Sequence, residues 1–253
     1  MAARGAGILA LGVFVLMLWA QNDALVGVFY DDGIYVTAGK ALAEGQGYRH
    51  MHLPDAPPGV HHPPLYPLVL ALAWWLWPAF PQNVTLFQLI DALALAGAAW
   101  IIAAHARRLG LTAPSRYGAL ALGFAAFPLL TILGMRLSEP LFLLLAAGAV
   151  ALADRESLSP KAALAAGALA GAATLARAVG VSVLAGVVLA LWLRRERRAA
   201  LICLAAGVVV VVPWVAWVAA QAGHVDQRLA NYTTYLHEAR QAGTAAILGG
   251  LKL

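Results

Sequence analysis

The stretch YDDGIYVTAGKALAEGQGYRHMHLPDAPPGVHHPPLYP, Tyr30–Pro67, is the longest polar run between otherwise apolar segments of the chain. It begins with two adjacent acids, Asp31 and Asp32, and its proline-rich second half contains the histidine pair His61-His62. Long loops inside compact architectures are usually functional or disordered. A loop that only joined two helices would need neither paired carboxylates nor a rigid proline frame. The sequence therefore predicts an active-site loop.

Composition predicts the environment of the chain. It has 253 residues, of which 62% are hydrophobic and 11% charged, and its mean hydropathy is +0.77. A soluble domain carries about 25% charged residues. The deficit in charge, together with apolar runs close to the ~20 residues that span a bilayer, predicts an all-α, polytopic membrane protein. The single cysteine, Cys203, excludes a disulfide within the chain.

The basic residues give the expected orientation. The net charge of +5 would suggest nucleic-acid binding in a soluble protein. Here the tracts Arg107-Arg108 and Arg194–Arg198 lie between apolar segments, as cytoplasmic loops of membrane proteins do. We therefore expect a multi-pass protein of the plasma (inner) membrane with a cytoplasmic N-terminus and no nucleic-acid partner.

The first outer loop is predicted to span residues 29–82. It follows a first crossing from Gly7 to about Val28, for which a cleaved signal peptide is the competing interpretation. Within the loop, Ile34–Glu44 is predicted to form a surface helix, followed by a stiff, extended, proline-rich segment. Pro64–Phe80 is predicted to be an interfacial or re-entrant helix anchored by tryptophans. If it crossed, Arg194–Arg198 would lie outside, against the positive-inside rule.

The rest of the chain completes a bundle of about seven crossings. The further crossings are predicted at Asn83–Ala106, Tyr117–Gly134, Leu141–Ala153, a hairpin within Ala162–Leu193 that turns near Arg177 and Gly180, and Leu201–Ala220. Gly167 and Gly171 form a GxxxG pair that lets helices approach closely. Gly243–Leu253 turns apolar but stops too soon to span, so we expect residues 1–253 to be one membrane module truncated at its C-terminus.

The acid pair is the candidate catalytic group. Two carboxylates at a membrane surface repel each other unless a cation or a proton relieves them, and one of them can then serve as a general base. The competing interpretation is that Asp31 and Asp32 merely end the first helix in solvent, where aspartate is common.

Three charged residues are predicted at the outer ends of different helices: Arg136, Glu139 and Arg177. Arginine suits an anionic group because its fork holds phosphate oxygens in two places. Snorkelling of these side chains to the interface is the alternative. His61-His62 could bind a divalent metal ion with Asp31 or Asp32, and a polar loop without metal is the alternative there.

Several motifs together resemble those of a known family. These are Asp31-Asp32-Gly33-Ile34-Tyr35, Gly45-Gln46-Gly47-Tyr48, His62-Pro63-Pro64-Leu65-Tyr66-Pro67, Ser138-Glu139-Pro140-Leu141-Phe142 and Leu175-Ala176-Arg177. The chain resembles the N-terminal membrane module of the GT-C superfamily of polytopic glycosyltransferases, in the branch of bacterial dolichyl-phosphate-mannose-type and aminoarabinose transferases. The family usually shows Asp-Glu-x-x-Tyr at the first motif, so here Asp32 replaces a longer acid.

The resemblance implies a function and a site. The donor would be a sugar on a polyprenyl phosphate, and the acceptor a lipid, protein or glycan at the outer face. Asp31, helped by Asp32, would be the catalytic base, and Tyr35, His61, His62, Arg136, Glu139 and Arg177 would bind substrate. Arg177, Arg136 or a bound metal would stabilise the departing phosphate.

Two other classes of protein remain as alternatives. A transporter would place its binding residues near the bilayer midplane and often shows internal repeats. No repeat is evident in this sequence, and its ionisable groups gather at the outer face. An inactive membrane scaffold or truncated product is the other alternative, which the short C-terminus keeps open.

Overall fold

The computed structural model describes residues 2–20, 26–124, 135–155 and 158–225. These residues form nine α-helices and a short 3₁₀ turn, with no named β-strand among them, which confirms the all-α prediction. The helices are α1 Ala2–Ala20, α2 Asp31–Ala43, α3 Leu65–Leu76, α4 Val84–Arg108, α5 Ala113–Phe124, α6 Glu139–Ala153, α7 Pro160–Ala176, α8 Gly180–Leu193 and α9 Arg197–Gln221.

Five helices, α4 and α6 to α9, run between two ends of the molecule. At the first, called here the loop end, Arg177 after α7 pairs with Glu139 at the start of α6. Near the C-terminus of α9, the indole N–H of Trp217 donates to the carbonyl of Gly59 at 2.8 Å. Gly59 belongs to the Tyr30–Pro67 stretch. The loop end therefore gathers helix termini around the Tyr30–Pro67 stretch.

The opposite end, called here the basic end, is fastened by arginines. Arg108 at the end of α4 donates to the carbonyl of Ala151 in α6 at 2.9 Å. Arg194, which follows α8, pairs with Asp154, which follows α6, at 3.1 Å. Asp31 and Arg194 therefore lie at opposite ends of the bundle, as the topology predicted from the basic tracts requires.

Two of the described helices, α4 and α9, are long and apolar enough to span a membrane. Each has 25 residues, which is about 37 Å of helix at 1.5 Å per residue. The other apolar helices are shorter than the ~20 residues of a full crossing. Seven crossings stay a prediction.

The predicted hairpin is present as α7 and α8, joined by Arg177–Val179. α7 begins where Pro160 occupies the first turn and the Ser159 hydroxyl accepts from the N–H of Ala162 at 3.2 Å. It ends because Arg177 takes an extended conformation, with φ −147° and ψ 136°. Chain reversal there brings Arg177 to the loop end.

The glycine pair packs α7 closely against α9. A side chain at Gly167 would overlap the backbone of Cys203, and one at Gly171 would meet the carbonyl of Gly207 at 2.8 Å. The expected close approach at the GxxxG pair is therefore confirmed. Four alanines of α7 around this pair are fully buried: Ala163, Ala166, Ala170 and Ala173.

Replacing Gly167 by alanine should lower the free energy of unfolding by about 1–3 kcal/mol, because the added methyl overpacks the α7–α9 contact. Helix propensity alone would favour alanine by about 0.5–1 kcal/mol, so the sign is diagnostic. Thermal unfolding in detergent is the measurement. Gly186→Ala is the control, because nothing lies within 4 Å of a Cβ there; an equally stable Gly167→Ala would contradict the close contact.

Two local predictions are corrected. The described part of the first helix is Ala2–Ala20, and residues 26–30 are bends, so the helix does not extend to Val28 as predicted. The proline-rich segment is also not extended, because it folds back so that the N–H of Gly59 donates to the carbonyl of Tyr48 at 2.9 Å. Asp55 and Ala56 take positive φ at this turn.

The tryptophan-rich helix is shorter than the predicted Pro64–Phe80, since it ends at Leu76. α3 has 12 residues, about 18 Å, which is too short to span a bilayer. It packs on α2, where the indole N–H of Trp74 donates to the carbonyl of Val36 at 2.9 Å. Trp75 on its other side is 74% exposed, as an interfacial anchor requires.

Some predicted segments fall outside the described residues. These are the later part of the Tyr117–Gly134 crossing, the outer segment beyond Val225, and Gly243–Leu253.

Candidate active site

Asp32 holds the chain in place at the start of the site. Its side chain is fully buried, and its carboxylate accepts from the backbone N–H groups of Gly27 at 2.7 Å, Phe29 at 3.1 Å and Gly33 at 2.8 Å. These bonds hold residues 27–29 in a bend immediately before α2. The second acid of the pair is therefore structural in its contacts, although we predicted it as catalytic.

Asp31 faces the opposite way. It is the first residue of α2 and its side chain is 41% exposed. Its Oδ1 lies 3.3 Å from Nε2 of His62, which donates to it in the Nε2–H tautomer. No described residue donates to Oδ2. One oxygen is thus held by the protein and the other is open to a substrate.

The surroundings of Asp31 keep it ionised. The hydrogen bond from His62 lowers the pKa of Asp31 below its ordinary value, and this outweighs partial burial, which raises it. The charges of His62, Arg177 and His61 lower the pKa of Asp31 further. The carboxylate is therefore an anion, ready to accept a proton, throughout the neutral range.

His62 is buried and fixed on several sides. Its ring meets the rings of Tyr35 and His61 edge-on, with centroids 5.3 Å and 4.8 Å away. The buried hydroxyl of Tyr48 donates to its carbonyl at 2.9 Å. His62, predicted to bind substrate, instead binds Asp31, while His61 beside it remains partly exposed.

Tyr35 connects α2 to α6. It is buried, and its hydroxyl accepts from the Ser138 hydroxyl at 3.4 Å. Burial raises the pKa of Tyr35 to about 12, so it stays neutral. Tyr35 follows Asp31 by one helical turn in α2, so its buried side chain supports the site from the protein interior.

Arg177 and Glu139 form an ion pair at the edge of the same site. Their side chains are 35% and 28% exposed, so the pair borders solvent. Arg177 also acts electrostatically on Asp31 and on Tyr35. The fold therefore gathers five predicted site residues, Asp31, Tyr35, His62, Glu139 and Arg177, from α2, α6, α7 and the loop before α3.

Arg136 is placed differently from the prediction. It is completely buried and does not lie at the outer surface. It acts electrostatically on Tyr66 and on Asp91. A buried guanidinium requires a negative partner, and Asp91 is one acid on which Arg136 acts. Arg136 therefore belongs to a layer beneath the site and is not at its edge.

The contacts of the buried polar residues beneath the site, Tyr66, Asp91 and Arg136, could be predicted only in part from the sequence. The hydroxyl of Tyr66 donates to both carboxylate oxygens of Asp91, at 2.9 Å and 3.0 Å. The Tyr66 ring lies edge-on to Tyr35, with centroids 5.2 Å apart. Asp91 could be noticed because an acid in an apolar helix is costly. Tyr66 and Ser138 gave no comparable signal of their contacts.

Metal binding by His61-His62 with Asp31 or Asp32 stays a prediction. Within the described ranges, no three His, Cys, Asp or Glu side chains converge as ligands. Burial lowers the pKa of His50 to about 3, helped by the neighbouring histidines His52, His61 and His62.

Comparisons with known proteins give no further support: no family model, no curated protein and no solved structure matches this chain. The chemistry of the site is therefore argued from its own geometry.

Proposed function

We propose that this protein is an integral membrane glycosyltransferase. It transfers a sugar from a polyprenyl-phosphate donor to an acceptor hydroxyl or amine at the non-cytoplasmic face. The single observation that carries the proposal is the half-exposed Asp31 carboxylate, held by His62 on one oxygen, with the Arg177 cation close enough to act on it. This arrangement combines a base and an anion-binding group in one site.

The reaction would be a single displacement with inversion. Asp31 Oδ2 accepts the proton of the acceptor, whose oxygen or nitrogen attacks the anomeric carbon. The bond from that carbon to the phosphate oxygen breaks, and its electrons leave with the phosphate. One carboxylate is enough, because a phosphate leaves without protonation, whereas glycoside hydrolysis needs an acid for the leaving oxygen.

Arg177 is suited to receive the departing phosphate. A guanidinium offers five N–H donors in a planar fork, and Glu139 occupies only part of that fork. Glu139 also holds Arg177 at the site edge, which reduces the reorganisation needed when the phosphate charge develops. Arg136 lies too deep for this role and instead stabilises the layer of Tyr66 and Asp91 below.

The apolar helices and the basic tracts support an outer location of the site. α4 and α9 are long and apolar enough to span, and α9 exposes large apolar side chains such as Leu201, Val209 and Val215. The basic end would face the cytoplasm by the positive-inside rule. The loop end, with Asp31 and Arg177, would then face outward, where a polyprenyl-linked sugar is presented.

Sugar transfer is tested in membranes that contain the protein. The membranes receive polyprenyl phosphates that carry a radiolabelled hexose or aminopentose, and label is followed into lipid, protein and glycan fractions. We expect transfer above that of membranes without the protein. Uptake of free solute into vesicles without any transfer would favour a transporter, and neither activity would favour a scaffold.

Replacing His62 by glutamine should shift the pH dependence of transfer. His62 lowers the pKa of Asp31, so its loss should raise that pKa. The base form of Asp31 would then be lost at a higher pH, and the acid limb of the kcat/KM profile should move upward. His61→Gln is the comparison, because it leaves the hydrogen bond to Asp31 intact and removes only a weaker electrostatic effect, so its profile should shift less. Equal profiles for the His62 variant and the wild type would contradict this role.

A further inference from the structure

A cleft of about 300 Å³ opens between α4, α6 and α8 at the basic end. One wall is a single face of α8, formed by Val183, Gly186, Val187 and Ala190, with Arg194 beyond the helix end. From residue 183 to residue 194 this face rises about 16 Å at 1.5 Å per residue. Gly186 and Ala190 are exposed, so the cleft opens at the side of the bundle.

The end of the cleft is polar. Arg194 donates from Nη1 to the carbonyl of Ala153 at 3.2 Å and pairs through Nη2 with Asp154 at 3.1 Å. Nε2 of His105 lies 3.5 Å from the other oxygen of Asp154. The Arg194 side chain remains 40% exposed, and these two contacts use only part of its five donors.

The polar end carries an excess of positive charge. The chain segments that meet there, 105–108, 154–155 and 194–196, carry two acids, Asp154 and Glu196, and five arginines, Arg107, Arg108, Arg155, Arg194 and Arg195. Asp154 therefore neutralises only part of the local charge. An apolar channel that ends at partly satisfied arginines complements a molecule with a hydrocarbon chain and an anionic head.

We propose that this cleft binds an anionic phospholipid of the cytoplasmic leaflet. One acyl chain lies along the α8 face from Ala190 towards Val183, and the phosphate accepts from Arg194 at the opening. Basic pockets between helices on the cytoplasmic side are suited to such head groups. The proposal depends on the membrane placement of these helices and is independent of sugar transfer at the loop end.

Gly186 offers a test that leaves every polar contact intact. Nothing lies within 4 Å of a Cβ at this position, so Gly186→Leu brings its side chain into the cleft with free space at Cβ. Gly118→Leu is the matched control, because Gly118 is an equally open glycine on α5, outside the cleft. Arg194→Gln removes the head-group donor, and Arg198→Gln, in the same basic tract, is its control.

The measurement is native mass spectrometry of the purified protein with phosphatidylglycerol, phosphatidylcholine or polyprenyl phosphate. We expect retention of phosphatidylglycerol in the wild type and both controls, with a loss of about tenfold in Gly186→Leu and Arg194→Gln, which is about 1.4 kcal/mol. If Arg194→Gln fails to fold, Gly186→Leu decides. Equal retention of phosphatidylcholine, preference for polyprenyl phosphate, or undiminished binding by Gly186→Leu would overturn the proposal.

Discussion

Asp31→Asn should abolish sugar transfer while the protein keeps its fold. General-base catalysis contributes about 10²–10⁴ in rate, and an amide cannot accept the proton. The half-exposed side chain makes one described side-chain contact, with His62, and asparagine can keep it through its oxygen. We therefore expect kcat to fall at least a hundredfold, measured with radiolabelled polyprenyl-phosphate sugar, and the melting temperature in detergent to change little.

Asp55→Asn provides the matched control for that experiment. Asp55 is an exposed acid of the same polar stretch, at a turn with φ 61° that asparagine accepts readily. Its substitution removes the same charge from the same surface, so transfer should be preserved. Retained transfer in Asp31→Asn would remove the proposed base. Equal loss in both variants would indicate a general effect of surface charge.

Asp32→Asn should destabilise the segment around the start of α2, which Asp31→Asn leaves intact. Its carboxylate accepts three backbone N–H bonds in a fully buried position. An asparagine there must turn a donor towards at least one of these N–H groups. Each buried donor left unsatisfied costs about 1–3 kcal/mol, so we expect a loss of roughly 2–4 kcal/mol in stability. Thermal unfolding followed by size exclusion in detergent measures it.

The two neighbouring variants form one comparison. Asp31 and Asp32 undergo the same chemical change one residue apart, so charge and composition are identical in the two proteins. We expect lost transfer with a normal melting temperature in the first, and a lowered melting temperature in the second. A second variant, Asp32→Glu, keeps the charge but not the geometry; full stability in both Asp32 variants would contradict the role of the three hydrogen bonds.

Periodicity and charge predicted much of the helical arrangement. The α7–α8 hairpin and its turn near Arg177 followed from length and basic flanks, because an apolar run of that size must fold back. The prediction that α3 does not cross the membrane followed from the positive-inside rule. Such features are local or depend on simple counts, so the sequence carries them directly. The number of crossings follows from the same rule but stays a prediction.

The pairing of charges depended on contacts between distant residues. Arg136 and Arg177 look alike in the sequence, yet one is buried near Asp91 and the other pairs with Glu139 beside Asp31. Likewise, the sequence does not show whether Asp31 or Asp32 is the buried member of the acid pair. A one-residue step along a chain turns adjacent side chains in different directions, and only the neighbouring segments decide which of them becomes covered.

The amino-acid sequence by itself determined that the chain is helical and apolar, and that its polar chemistry gathers in the Tyr30–Pro67 stretch. These properties follow from composition and residue spacing, which do not depend on contacts between distant segments. Only the tertiary structure decided that Asp31 is the half-exposed carboxylate, that Asp32 is buried among backbone N–H groups, and that His62 contacts Asp31. Hydrogen bonds and burial arise between segments far apart in the chain, so their choice among similar side chains is made when those segments pack together.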